Sequence, residues 1–195
     1  ENVAGEKLDL IARDKIFGPL KMSNTCFNPP EDLERRIAPT EKKSSGAGVI
    51  RGDVHDENCR SLGGVSGHAG LFSTAEDLGE FAGLFLNKGE LHGSRIMSEK
   101  TIELTQKNHT EGLSERRGLG WELQGSKAGS AGDLLSRHSI GHTGFTGGSI
   151  WIDQEEKIAT VILTNRVHPD RNRGENEIGD FRARAHNLII NELTT

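Results

Sequence analysis

The sequence has no tyrosine, only two cysteines and no excess of basic residues, and each shortage removes a class of protein. Without Tyr, no phenolic proton relay can come from these 195 residues. Cys26 and Cys59 lack C-x-x-C spacing, which argues against a disulfide scaffold or a thiolate metal cluster, so both read as small buried hydrophobes. Lys and Arg total 24 against 29 Asp and Glu, a formal net charge of -5. That balance offers no polyanion-binding surface and excludes a dedicated nucleic-acid binder. No apolar run approaches the roughly 18 to 20 residues that cross a bilayer, and Glu1-Asn2-Val3 lacks the basic start and apolar stretch of a signal peptide. Hydrophobic residues reach only 33%, but 25 glycines account for part of the deficit. The length still permits one domain with a real core.

What is present divides into a helical part and a strand-rich part. Leu8, Ile11, Ala12 and Ile16 recur at helical spacing between Glu6 and Ile16, and Gly18-Pro19 ends the pattern. Residues 28 to 52, with Pro29, Pro30, Pro39, Lys42-Lys43 and Ser44-Ser45-Gly46, supply no continuous apolar face and read as a long, mobile surface excursion. A glycine-dense loop, Gly63 to Gly70, leads to Ser73-Thr74-Ala75-Glu76, where Ser73 caps a helix and Glu76 returns the bond. Leu78, Phe81, Ala82 and Phe85 share a face of that helix, Gly89 stops it, and Ser98 opens another through Ile102 and Leu104.

Beyond residue 115 the period becomes that of strands. Segments at Gly118 to Leu123, His138 to Ile152 and Ile158 to Asn165 are expected to form an antiparallel sheet, with Asp153 to Glu156 as a hairpin connection. A last helix from about Asn176, apolar at Ile178, Phe181, Ala185, Leu188 and Ile189, is expected to pack on one face. Trp121 reads as core, and Arg35-Arg36 and Arg116-Arg117 as solvated faces. The class is α+β, a single incomplete domain over 1–195: helices and loops over 1–115, strands and a helix over 116–195.

Gly141-His142-Thr143-Gly144-Phe145-Thr146-Gly147-Gly148-Ser149 carries the chemistry. Its glycines let a ligand approach the main chain, and its strand edge offers N–H groups to a peptide or an oxyanion, although the same pattern also suits a bulge or a close packing site. His55-Asp56-Glu57-Asn58 with His68 contains zinc-ligand chemistry but no H-E-x-x-H spacing, so these groups are expected to satisfy one another; no metal or cofactor is called for. His138, His168 and His186 read as surface or structural.

The segment from His142 to Asp153, followed by Val161-Ile162-Leu163-Thr164-Asn165-Arg166-Val167-His168-Pro169, resembles the terminal strand pair of the serine β-lactamase and penicillin-binding-protein family. The likeness is to the branch of class C β-lactamases, D-alanyl peptidases, esterases and cell-wall amidases. Ile16 to Met22 with Thr25, His55 to Asn58, and Gly63 to Thr74 with Asp77-Leu78 agree in order. The resemblance implies the C-terminal half of the β-lactamase/transpeptidase-like fold, cut after its catalytic helix. Such enzymes use S-x-x-K, a Tyr- or Ser-centred relay and a K-T-G-like strand, and this sequence contains neither of the first two. Carried over, the backbone N–H of Phe145 forms half an oxyanion hole, Thr143 donates to the substrate carboxylate or the leaving side, and His142 replaces the usual Lys, exchanging a fixed charge for an imidazole, the side-chain type whose charge depends on pH near neutrality. Gly144, Thr146, Gly67 and His68 line the substrate cleft. The implied substrate is a small molecule or a peptidoglycan-like peptide, turned over through an acyl-enzyme, with this polypeptide alone inactive. The alternative is a noncatalytic module that binds D-Ala-like peptides or pairs with a partner chain. An incomplete sheet also implies a homo-oligomer or pairing with the missing N-terminal half.

Overall fold

The apolar repeat that begins at Leu8 forms α1 (Leu8–Ala12), which widens into a π-helical stretch over Arg13–Phe17 and ends where Gly18 closes on the Arg13 carbonyl. In this computed structural model the described residues are 1–43, 46, 48–125, 129–172 and 177–194. Ser44, Ser45 and Asn176, which entered the sequence reading, lie outside them. Two short strands, β1 (Cys26–Phe27) and β2 (Leu71–Phe72), pair antiparallel across α2 (Glu57–Ser61) and its following loop.

Helix α3 (Ala75–Leu86) starts one residue later than expected. Thr74, not Ser73, is its cap and accepts from the Asp77 N–H. Ser73 is engaged elsewhere, its hydroxyl 2.8 Å from that of Thr25, and the buried Asp77 carboxylate accepts from Asn24 N and Thr25 Oγ1. The acidic residue at the third helical position therefore ties the helix to the preceding chain rather than completing a box through Glu76. The tight hairpin of β3 (Glu90–Leu91) and β4 (Ser94–Arg95) then separates α3 from α4 (Glu99–Gln106), which Ser98 caps as expected.

The sheet comprises β5 (Glu122–Leu123), β6 (Ile140–Thr143), β7 (Ser149–Asp153) and β8 (Ile158–Ile162), antiparallel in that order. The stretch from His138 to Ile152 is thus two strands joined by a turn, because Gly144 to Gly148 reverse the chain. The polar break after Asp153 is a hairpin turn: the fully buried Asp153 carboxylate accepts from the N–H groups of Glu155 and Glu156 and from Ser136.

Helix α3 covers one sheet face. Leu84, Phe85, Ile102, Trp121, Leu123, Ile140 and Ile152 form the main core there, with Trp121 edge-on to Phe85 at 5.0 Å. Such a ring pair adds about 1 kcal/mol beyond its burial. Helix α5 (Glu177–Thr194) covers the other face over Ala131, Leu135, Trp151 and Ile190. Its orientation corrects the expectation. Arg182, His186 and Ile190 face the sheet, while Phe181, Leu188 and Ile189 are exposed. Polar residues can take the inner face because each finds partners there: His186 lies between Thr160 Oγ1 at 2.7 Å and Ser149 Oγ at 3.0 Å.

Burial and the nearby Arg182 charge push His186 down to about 4. In the unfolded chain it titrates near 6.5, so between these values the unfolded state binds the extra proton and the folded state does not. Stability therefore falls as pH drops from about 6.5 through about 4, by up to about 3 kcal/mol. Urea unfolding from about pH 7 to about pH 4.5 should show this slope in the wild type and lose most of it in His186→Gln. An unchanged slope in the variant would remove His186 as its source.

The excursion at residues 28–52 is attached to the body. Thr40 N donates to Ile50 O and Ile50 N to Glu41 O across it, Lys42 N donates to Pro169 O, and Arg171 holds Glu41. Arg116 and Arg117 are less solvated than expected: Arg117 pairs with the buried Glu122 at 3.1 Å, and Arg116 donates to the Gln124 carbonyl. Arg35 and Arg36 lie exposed in a short 3-10 helix over Glu31–Arg36.

Candidate active site

Strand β6 carries the site because its outer edge is only half paired. β5 reaches Ile140 and Gly141 and stops, so the edge of His142 and Thr143 has no strand beside it among the described residues. Gly141 is required at this point. A Cβ there would sit 2.3 Å from Trp151 Cδ2 and 2.5 Å from the Ile150 carbonyl, so only glycine lets the indole lie across the strand.

After Thr143 the chain turns through residues 144–148, with Gly147 N donating to Gly144 O and Gly144 N donating to Gly148 O. All five carbonyls of this turn are occupied. Gly144 O, Gly147 O and Gly148 O accept from the buried Arg182 guanidinium at 2.7, 3.1 and 2.9 Å. Phe145 O accepts from Arg166 Nε at 2.8 Å, and Thr146 O from Arg166 N at 2.9 Å. The N–H of Phe145, by contrast, has no acceptor among the described residues. A peptide group whose oxygen is tied down while its N–H stands open is what an oxyanion hole requires.

The Phe145 ring is half exposed and fixed from two sides. Arg166 lies 4.4 Å from its centroid, and the His55 ring stacks on it at 5.7 Å. His55 is buried and pairs through Nε2 with Glu41 Oε2 at 2.7 Å. Arg171, more than His55, holds the Glu41 carboxyl down to about 2 by hydrogen bonding, and it reaches Glu57 as well. His55, held in turn by Glu41, thus braces the Phe145 ring.

His142 is exposed, its Nδ1 2.8 Å from the Thr143 carbonyl, and its Nε2 has no hydrogen-bond partner among the described residues. Thr143 and Thr146 are half-buried beside the turn. His68 lies between Ser66 Oγ at 2.5 Å and Asp56 Oδ1 at 3.1 Å. Both partners lie in the α2 cap and the loop after it, and no contact among the described residues ties His68 to the β6 turn. Asp56 is held below the usual carboxylate range by the Cys59 N–H first and His68 second. Gly67 is exposed, and a Cβ there would meet nothing within 4 Å, so backbone crowding does not demand glycine. His55 and His68 each take one carboxylate partner, and no group of three or more metal-ligating side chains assembles among the described residues.

Sequence reasoning missed Arg166 and Arg182. Arg166 lies in a quoted segment, but its contact with Phe145 spans 21 positions. Arg182 lies in a helix segment with charged residues at 180 and 184 and reaches back 34 to 38 positions. Periodicity carries no trace of such contacts.

Comparison with known proteins shows the family and the fold. The chain is 31% identical over 215 residues to an N-acetylmuramyl-L-alanine amidase of Bacillus subtilis (strain 168), a match covering 99% of this chain and 48% of that protein. It is 32% identical over 214 residues to a protein of Escherichia coli O157:H7 provisionally named a D-alanyl-D-alanine carboxypeptidase, covering 99% and 49%. The chain thus spans about half the length of the curated relatives it matches. A β-lactamase from Mycobacterium bovis superposes with a TM-score of 0.67 at 20% identity, over 100% of this chain and 59% of that one. Simvastatin synthase from Aspergillus terreus gives 0.69 at 15%, over 97% and 51%. These two likenesses show the fold, α+β with the antiparallel sheet between helices. Residues 1–184 match the family described as Beta-lactamase, and with the relatives above this places the chain in that family.

Proposed function

We propose that this chain is the oxyanion-binding and substrate-docking half of a serine hydrolase that works through an acyl-enzyme on ester, β-lactam or cell-wall peptide and amide bonds. The observation that carries the reading is the Phe145 N–H, without an acceptor among the described residues, on a turn whose carbonyls are all occupied. The names of the two relatives above favour a cell-wall peptide among these substrates.

In this mechanism a serine outside the present residues attacks the scissile carbonyl, and the carbonyl electron pair moves onto oxygen. Phe145 N–H and the nucleophile's own N–H stabilise that charge, and the leaving group departs with a proton. Thr143 and the open β6 edge hold the substrate, with His142 beside them. Water then releases the acyl group. The outer edge of β8, unpaired among the described residues, and the exposed Phe181 and Leu188 of α5 receive the remainder of the protein.

The full-length protein should gain the mass of one penicillin on incubation with a fluorescent penicillin, whereas residues 1–195 alone should gain none. Labelling of the isolated chain at a serine would overturn the division of labour. Saturable binding of a D-Ala-D-Ala peptide by the full-length protein, with neither adduct nor turnover, would favour the noncatalytic module.

A further inference from the structure

Arg182 is an unusual group to find under a turn. It is buried, it makes no ion pair with a carboxylate among the described residues, and its guanidinium is spent on three backbone carbonyls. Desolvation, and then the like charge of Arg166, push its pKa down. Holding a turn together does not need a charge: a neutral amide could donate to one or two of these oxygens without the desolvation cost. The charge has a more specific consequence. Gly144 O, the closest of the three at 2.7 Å, belongs to the same peptide unit as the Phe145 N–H. In a trans peptide these two groups point in opposite directions. A cation on the oxygen therefore fixes the direction of the N–H and withdraws electron density from it, making it a stronger donor.

We infer that Arg182 is a positioning residue for the reaction, acting from the back of the Gly144–Phe145 peptide to orient and strengthen the oxyanion donor. This inference rests on the hydrolase reading above. Arg166 acts on the next peptide of the same turn, its guanidinium donating to the Phe145 carbonyl, and likewise has no carboxylate partner among the described residues. Two cations with no carboxylate pair among the described residues, both bonded to carbonyls of this turn, favour an anion at it.

The test compares wild type, Arg182→Lys and Arg182→Gln in the full-length protein. Removing a direct oxyanion donor costs about 100- to 1,000-fold in kcat. Weakening one indirectly should cost about 10- to 100-fold in Arg182→Gln. Affinity for a boronic acid, which forms a tetrahedral oxyanion on the nucleophile, should fall in parallel, while KM stays within about threefold. Lysine, keeping the charge but not the fork, should recover part of the loss. The Phe145 amide proton should also move upfield in Arg182→Gln, a readout independent of turnover. A variant that unfolds more easily but retains kcat, boronate affinity and amide shift would overturn the inference and leave Arg182 structural. A wild type that neither turns over substrate nor binds the boronate would overturn the hydrolase reading itself, and the positioning role with it.

Discussion

Alanine at position 141 should destabilise the full-length protein by about 3 kcal/mol or more, at the upper end of what overpacking costs. The new methyl would lie 2.3 Å from Trp151 Cδ2, 2.5 Å from Trp151 Cε3 and 2.5 Å from the Ile150 carbonyl oxygen. The carbonyl belongs to the paired strand and cannot move without breaking the ladder, and the indole is packed beneath Ile190. Relief therefore has to come from β6, which would be pushed off β7 directly before His142 and Thr143. Turnover in the folded fraction should fall with stability. Gly79→Ala provides the contrast of sign, because Gly79 lies within α3 with nothing within 4 Å of a built Cβ. It should stabilise by about 0.5 to 1 kcal/mol. Urea unfolding of both variants reads the difference, and a Gly141→Ala protein as stable as the wild type would contradict the close approach of indole and strand.

Local signals proved legible where a short stretch of chain decides the structure. Ser98 caps α4, Gly89 ends α3 with its N–H on Leu84 O, and the polar break after Asp153 makes a turn. The Ser73-for-Thr74 misplacement arose because both hydroxyls suit a cap, and a partner 48 positions away, Thr25, decides between them. The face of α5 was inverted for a related reason. Apolar periodicity assumes that polar side chains seek water, whereas Arg182 and His186 find carbonyls and hydroxyls inside. The site followed the same rule. The turn and its candidate donor could be read from glycine density and the family motif, while the groups that hold it, Arg166, Arg182 and the His55–Glu41 pair, come from distant segments.

The Phe145 N–H is the centre of the account, and a backbone donor can be removed without touching its neighbours. Phe145 follows the first residue of a β-turn closed by Gly147 N on Gly144 O, the position where proline fits best. Gly144 before it tolerates the extended conformation that proline imposes. Phe145→Pro therefore deletes the N–H and the ring, and Phe145→Ala deletes the ring alone. Since the N–H donates to no described protein group, its loss should cost little in folding. Single-turnover acylation of the full-length protein by a fluorescent penicillin isolates its contribution. We predict a rate within about tenfold of wild type for Phe145→Ala and a further drop of about 100- to 1,000-fold for Phe145→Pro. Equal rates in the two folded variants would contradict an oxyanion role for this peptide.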